Sequence, residues 1–72
     1  MTVQGFDIDK VFTYHPPFGN QADRYVAIRG SAKAFAKQMQ ALCPPSAELT
    51  LALRRVQEAV MYANASIAIN EE

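Results

Sequence analysis

His15 and Cys43 are the single imidazole and the single thiol of this sequence. Nucleophilic catalysis needs a Ser or Cys beside a His, with a third group to orient the base. These two residues flank a segment that reads as one long helix, so a single subunit would hold them about 30 Å apart. An antiparallel partner subunit could bring them together, but nothing in the sequence requires it. One His and one Cys are also a poor start for a four-ligand zinc site. The carboxylates pair no better. Asp7 and Asp9 are two apart, and Glu71 and Glu72 close the chain. Solvated surface, at a frayed end in the second case, is the better explanation for all four. The sequence therefore points away from an enzyme and from any metal or cofactor.

Binding chemistry is better supplied. Arg24, Arg29, Lys33 and Lys37 share one segment with a single carboxylate, Asp23. Arg29, Lys33 and Lys37 are four apart, which places them on one helix face. Such a stripe is usually a solvated face. Here the segment contains no Glu to neutralise it through i,i+4 pairs. A local excess of this size suits a few phosphates, not a polymer. Beside it, Phe12-Thr13-Tyr14-His15-Pro16-Pro17 sets rings and an imidazole on a stiff, extended arm. Nucleobases stack on such rings, and Arg and Lys hold phosphates. Ring plus cation is the minimum set for a nucleotide site. The competing use of an aromatic arm is to plug a hydrophobic groove.

The elements that must position these groups follow from periodicity. Residues 1–20 hold four of the seven aromatics among the turn formers Gly5, Pro16, Pro17 and Gly19. This arm reads as mostly irregular, with room for a helical turn around Asp7 to Phe12. Residues 21–43 read as a helix, with Asn20 as N-cap and Asp23 in the first turn. Its apolar seam is Tyr25, Ile28, Ala32, Phe35, Met39 and Leu42, at alternating spacings of three and four. Gly30 sits inside it, at a cost of about 1 kcal/mol against Ala, and marks a kink or a close approach by another backbone or a ligand. Pro44-Pro45 breaks the chain. Ser46 then caps a second helix over 47–69, with the seam Leu49, Leu53, Val56, Val60, Ala63 and Ile67. Two matched seams and a short connection predict an antiparallel helical hairpin.

Size and composition complete the expectation. Seventy-two residues make one domain, and half of them are hydrophobic. A chain this short buries about 60% of its unfolded surface and needs a staple. One cysteine cannot make an internal disulfide, so oligomerisation remains. Met61, Ala65 and Ile69 form a second apolar line on the second helix, the expected contact of a homo-oligomer. The alternative is that the N-terminal arm of the same chain covers this line. Seven basic residues balance seven acidic ones, and the pI is near 6.6. This argues against duplex nucleic acid as a partner. No apolar run reaches the length of a membrane span. The first ten residues lack the apolar core of a signal peptide. A cytoplasmic protein is expected.

The same residues resemble a known family. Phe12-Thr13-Tyr14-His15-Pro16-Pro17, Gln21, Arg24-Tyr25 and Ile28-Arg29 resemble its opening. Cys43-Pro44-Pro45-Ser46, Glu48, Ala52-Leu53, Glu58-Ala59-Val60-Met61 and the run from Ala63 to Ala68 resemble its remainder. The family is the phage anti-CBASS cyclic-nucleotide sponge, which shares a helical hairpin domain with an anti-Thoeris sponge. The resemblance implies a phage protein that acts in the host cytoplasm. It would bind cyclic oligonucleotide second messengers tightly and withhold them, uncleaved, from CBASS effectors. It further implies hexamers of hairpins, with cyclic dinucleotides between protomers and cyclic trinucleotides near a three-fold axis. By position, Tyr14 is similar to the base-stacking aromatic, and Arg29 to the phosphate contact, with Lys33 the second choice. His15 would either hydrogen-bond the ligand or fix the arm through a backbone bond. Ser31, with Ala27 one turn earlier, would face the three-fold axis. No Arg or Lys follows Arg55 here, although some relatives use a late basic residue for the trinucleotide. The rival reading is a protein–protein inhibitor that docks a host factor through its apolar helical face.

Overall fold

Proline and capping chemistry divide the chain. In the computed structural model, residues 7–71 are described, and they contain three helices and no strand. Gly5 and Phe6, expected in the arm, and Glu72, expected at the frayed end, lie outside the described residues.

Helix α1 spans Ile8–Phe12. The Asp7 carboxylate caps it by accepting from the Lys10 backbone N–H at 3.1 Å. Helix α2 spans Gln21–Leu42. Cys43, expected inside it, is its extended C-cap at φ −114° and ψ 142°, because a following proline excludes helical geometry from the residue before it. Helix α3 spans Ala47–Asn70. The Ser46 hydroxyl accepts from the Leu49 N–H at 3.0 Å, as an N-cap serine should. Asn20 does not act as expected. Its side chain makes no capping bond, and its backbone (φ −91°, ψ 13°) is not the extended conformation that side-chain capping needs. Gly19 precedes it in the left-handed region, at φ 58°.

The two long helices pack as an antiparallel hairpin. All six expected seam residues of α3 are half-buried. In α2 the seam departs from the heptad pattern. Phe35 and Leu42 are exposed, while Ala36 is half-buried along with Ile28, Ala32 and Met39. Positions three and four after Ala32 both return to its face of the helix, and Ala36 takes the contact in place of Phe35 before the seam resumes at Met39. Gly30 meets nothing within 4 Å of where a Cβ would stand, so no neighbour within the protomer calls for a glycine there.

The hairpin alone does not make a core. Among the described residues no hydrophobic side chain is fully buried. The radius of gyration is 15.4 Å, against about 11 Å for a compact chain of this length. The accessible surface is 5855 Å², whereas a compact monomer of this mass exposes about 4,450 Å². Among the described residues, no helix is long and apolar enough to cross a membrane.

Candidate functional site

The arm folds back over the end of the hairpin where α2 starts and α3 finishes. Two hydrogen bonds fix its path. The His15 ring meets the Lys10 carbonyl oxygen through Nε2 at 2.7 Å. A carbonyl only accepts, so Nε2 carries the proton and Nδ1 is the nitrogen left for a ligand. The Phe18 N–H donates to Oε1 of Gln21 at 3.1 Å. Between these two anchors, Pro16-Pro17 restricts the backbone.

Gln21 is the one fully buried side chain among the described residues, at 2% exposure. Its other end donates from Nε2 to Oε1 of Glu71 at 3.1 Å. Glu71 also receives a two-pronged grip from Arg24, with Nη1 to Oε2 at 2.8 Å and Nη2 to Oε1. Fork geometry of this kind is the strong form of an ion pair. The Arg24 and Gln21 hydrogen bonds pull the Glu71 carboxyl down to about 2. In return, hydrogen bonding to Glu71 raises Arg24 above its usual value. The solvated, frayed role expected for Glu71 is therefore wrong. The antiparallel register sets the end of α3 opposite the start of α2, where Arg24 awaits a partner. The same pair trims the basic excess of α2, because Glu71, just past the end of α3, neutralises Arg24. Among the described residues, Arg29, Lys33 and Lys37 have no ion pair.

An open groove of about 390 Å³ lies beside this cluster. Tyr14, His15 and Pro17 of the arm form one wall, Tyr25 and Arg29 of α2 a second, and Asn64, Ala65 and Ala68 of α3 a third. It falls in the lower part of the size range of small-molecule sites, about 300–1,000 Å³. Tyr14 is 80% exposed, so its ring face is available for stacking. Asn64 Oδ1 is buried without a hydrogen-bond partner.

Three sequence-predicted residues, Tyr14, His15 and Arg29, thus meet at one groove. The others do not. Lys33 lies one turn further along α2. There it joins Arg29 at a second groove of about 420 Å³, lined also by Leu53, Val56, Val60 and Met61. Ser31 lines a third, of about 440 Å³, whose walls are small or apolar, with Ile28, Phe35, Val56 and Ala63 among them. Ala27 is exposed and lines none of the three.

Sequence reasoning missed Tyr25 and Asn64. Tyr25 fits the apolar spacing of α2 and was assigned to the seam, where it is half-buried. Its place one turn before Arg29 was the available signal. Asn64 is a polar residue between two alanines on an otherwise apolar stretch. Of the line proposed as an oligomer contact, Met61 is exposed, Ile69 is half-buried, and Ala65 faces the arm across the groove.

A model of the Acb2/Tad1 hairpin domain matches residues 7–68. The chain belongs to the Acb2/Tad1 hairpin family. Membership implies a phage anti-defence sponge, a protein that sequesters a signal without transforming it. No curated protein and no solved structure matches the chain significantly. The matched stretch contains every wall of the groove, from Tyr14 to Ala68, whereas Glu71 lies past its end. Among the described residues, no cluster of His, Cys, Asp and Glu could hold a metal ion.

Proposed function

We propose that this Acb2/Tad1 protein binds cyclic dinucleotides in the Tyr14–Arg29 groove and holds them without cleavage, so that CBASS effectors in the host cytoplasm stay inactive. One observation carries the reading. Two tyrosines and an unpaired arginine line one open groove. In this reading Tyr14 stacks on a base, Arg29 pairs with a phosphate, and His15 Nδ1 faces the ligand while Nε2 holds the arm.

The working form is a homo-oligomer. The missing core and the surplus surface support it. One protomer leaves the groove open, so a second would close it over a two-fold ligand. The hexamer is the state that the family resemblance implies. Cyclic trinucleotides are a second ligand class, assigned to the Ser31 face with Ala27 beside it. The groove at Ser31 has no cationic wall, which favours the dinucleotide as the main ligand. Lys33 serves as a secondary cation near Arg29.

Calorimetry with a cyclic dinucleotide, followed by denaturation and chromatography of the ligand, tests the proposal. Binding at nanomolar strength, about −12 kcal/mol, with intact ligand recovered, is expected. Linear product would demand a hydrolase. No binding heat with any cyclic nucleotide would leave the inhibitor that docks a host factor. Ser31→Trp should lower trinucleotide binding alone, and loss of dinucleotide binding as well would sink the two-site assignment.

A further inference from the structure

We propose that Gln21, Arg24 and Glu71 form a clasp that sets the position of the Tyr14 arm, and that ligand affinity depends on it. The inference rests on the sponge reading for its ligand and on the hydrogen bonds for its geometry. These bonds make a continuous chain. Phe18 N–H donates to Gln21, Gln21 donates to Glu71, and Arg24 grips both oxygens of Glu71. Each of the three structural parts that build the groove is therefore tied to the other two at one point. The arm enters through Phe18, α2 through Gln21 and Arg24, and α3 through Glu71.

The neighbourhood explains why the arm needs such a device. Tyr14 and Pro17 are exposed, and no apolar side chain among the described residues of the arm is fully buried. Packing alone leaves the arm weakly held. A flexible arm must be ordered when the ligand binds, and each immobilised side chain then costs about 0.5–1.5 kcal/mol of affinity. Holding the arm beforehand removes that cost. Gln21 suits the task because both ends of its amide are satisfied and it is out of water, so its alternatives are poor. Glu71 lies just past the matched family stretch of residues 7–68. Gln21, Arg24 and Glu71 are positioning residues, since none of them lines the groove.

The test uses the full chain with Glu71→Gln, Gln21→Ala, Glu71→Asp and Arg24→Lys, and with Glu58→Gln as a control. Glu58 belongs to a separate exposed pair with Arg55. Two quantities are read: affinity for a cyclic dinucleotide by calorimetry, and amide exchange at Phe18 by NMR. Glu71→Gln and Gln21→Ala should speed Phe18 exchange and weaken binding by about tenfold, the scale of one charge-assisted hydrogen bond. Glu71→Asp should recover part of both. Arg24→Lys keeps the charge but loses the fork, and should fall between. Glu58→Gln should change neither. Faster exchange with unchanged affinity would overturn the proposal, because the arm's position would then not matter to the ligand. Unchanged exchange would overturn it too, since the clasp would hold nothing. If the wild-type protein binds no cyclic dinucleotide, the sponge reading fails, and Phe18 exchange alone decides whether the clasp holds the arm.

Discussion

The two ends of the hairpin are built on opposite principles. At the turn end, Leu42 is 75% exposed, and Cys43 through Ser46 are all exposed. Its polar bonds are local. Ser46 caps α3 through Leu49 and accepts from Thr50 through its carbonyl oxygen at 3.2 Å. At the arm end, the bonds that Gln21 and Arg24 make to Glu71 span 47 to 50 residues of sequence. They bring a buried glutamine, a forked ion pair and the nearby groove together. The turn end needs only to reverse the chain, and two prolines with one serine do that. The arm end must hold three separate segments in register, which local chemistry cannot do. A site built from distant residues is expected where the long-range bonds are.

Substitutions at the two ends should therefore read out differently. The largest effect should come at the groove. Tyr14→Ala should weaken dinucleotide binding by about 1–3 kcal/mol, the worth of a stacked base, with helix content by circular dichroism unchanged. Wild-type affinity in that variant would remove the stacking role. At the turn, Ser46→Ala should lower hairpin stability by about 1 kcal/mol in thermal melts and leave affinity alone. A loss of affinity there would blur the division between the ends.

A smaller effect should separate the ends by pH. The Glu71 carboxyl is held at about 2 in the folded chain against an ordinary 4.5. A lowered carboxyl stabilises the fold above the ordinary value and loses that contribution as pH falls towards the lowered one. The melting advantage of wild type over Glu71→Gln should be full at pH 7, shrink below about pH 4.5 and be mostly lost by about pH 2. Solvent screens the pair, whose side chains are 38% and 40% exposed, so the advantage is modest. An advantage undiminished at pH 2 would contradict the ion pair. The smallest effect belongs to the exposed thiol at the turn. Cys43→Ser should change stability by less than about 0.5 kcal/mol and affinity not at all, as melts and calorimetry would report.

What could be read from sequence follows the same division. The apolar periods and the Pro44-Pro45-Ser46 break were enough to anticipate an antiparallel hairpin, because helix period and capping are local properties. Phe35 fits the apolar spacing, but spacing alone does not separate it from Ala36, which takes the contact face. Ring and charge chemistry point to the aromatic arm and the basic stripe, the family resemblance singles out Tyr14 and Arg29 within them, and the fold brings those two to one groove. Glu71 was missed because nothing near it in sequence indicates a partner. Only the hairpin register sets it against Arg24, and that register is a tertiary fact. Asn20 was read as a cap by residue type, whereas capping depends on backbone angles that the sequence leaves open.

The central claim is that the arm end carries the ligand. Amide NMR spectra of the wild-type protein, titrated with a cyclic dinucleotide, test it most directly. The account predicts shifts at Tyr14, His15 and Phe18, around Tyr25 and Arg29, and from Asn64 to Ala68, with the resonances of Leu42, Cys43 and Ser46 to Leu49 unmoved. Shifts centred on the turn, or none at saturating ligand, would contradict it.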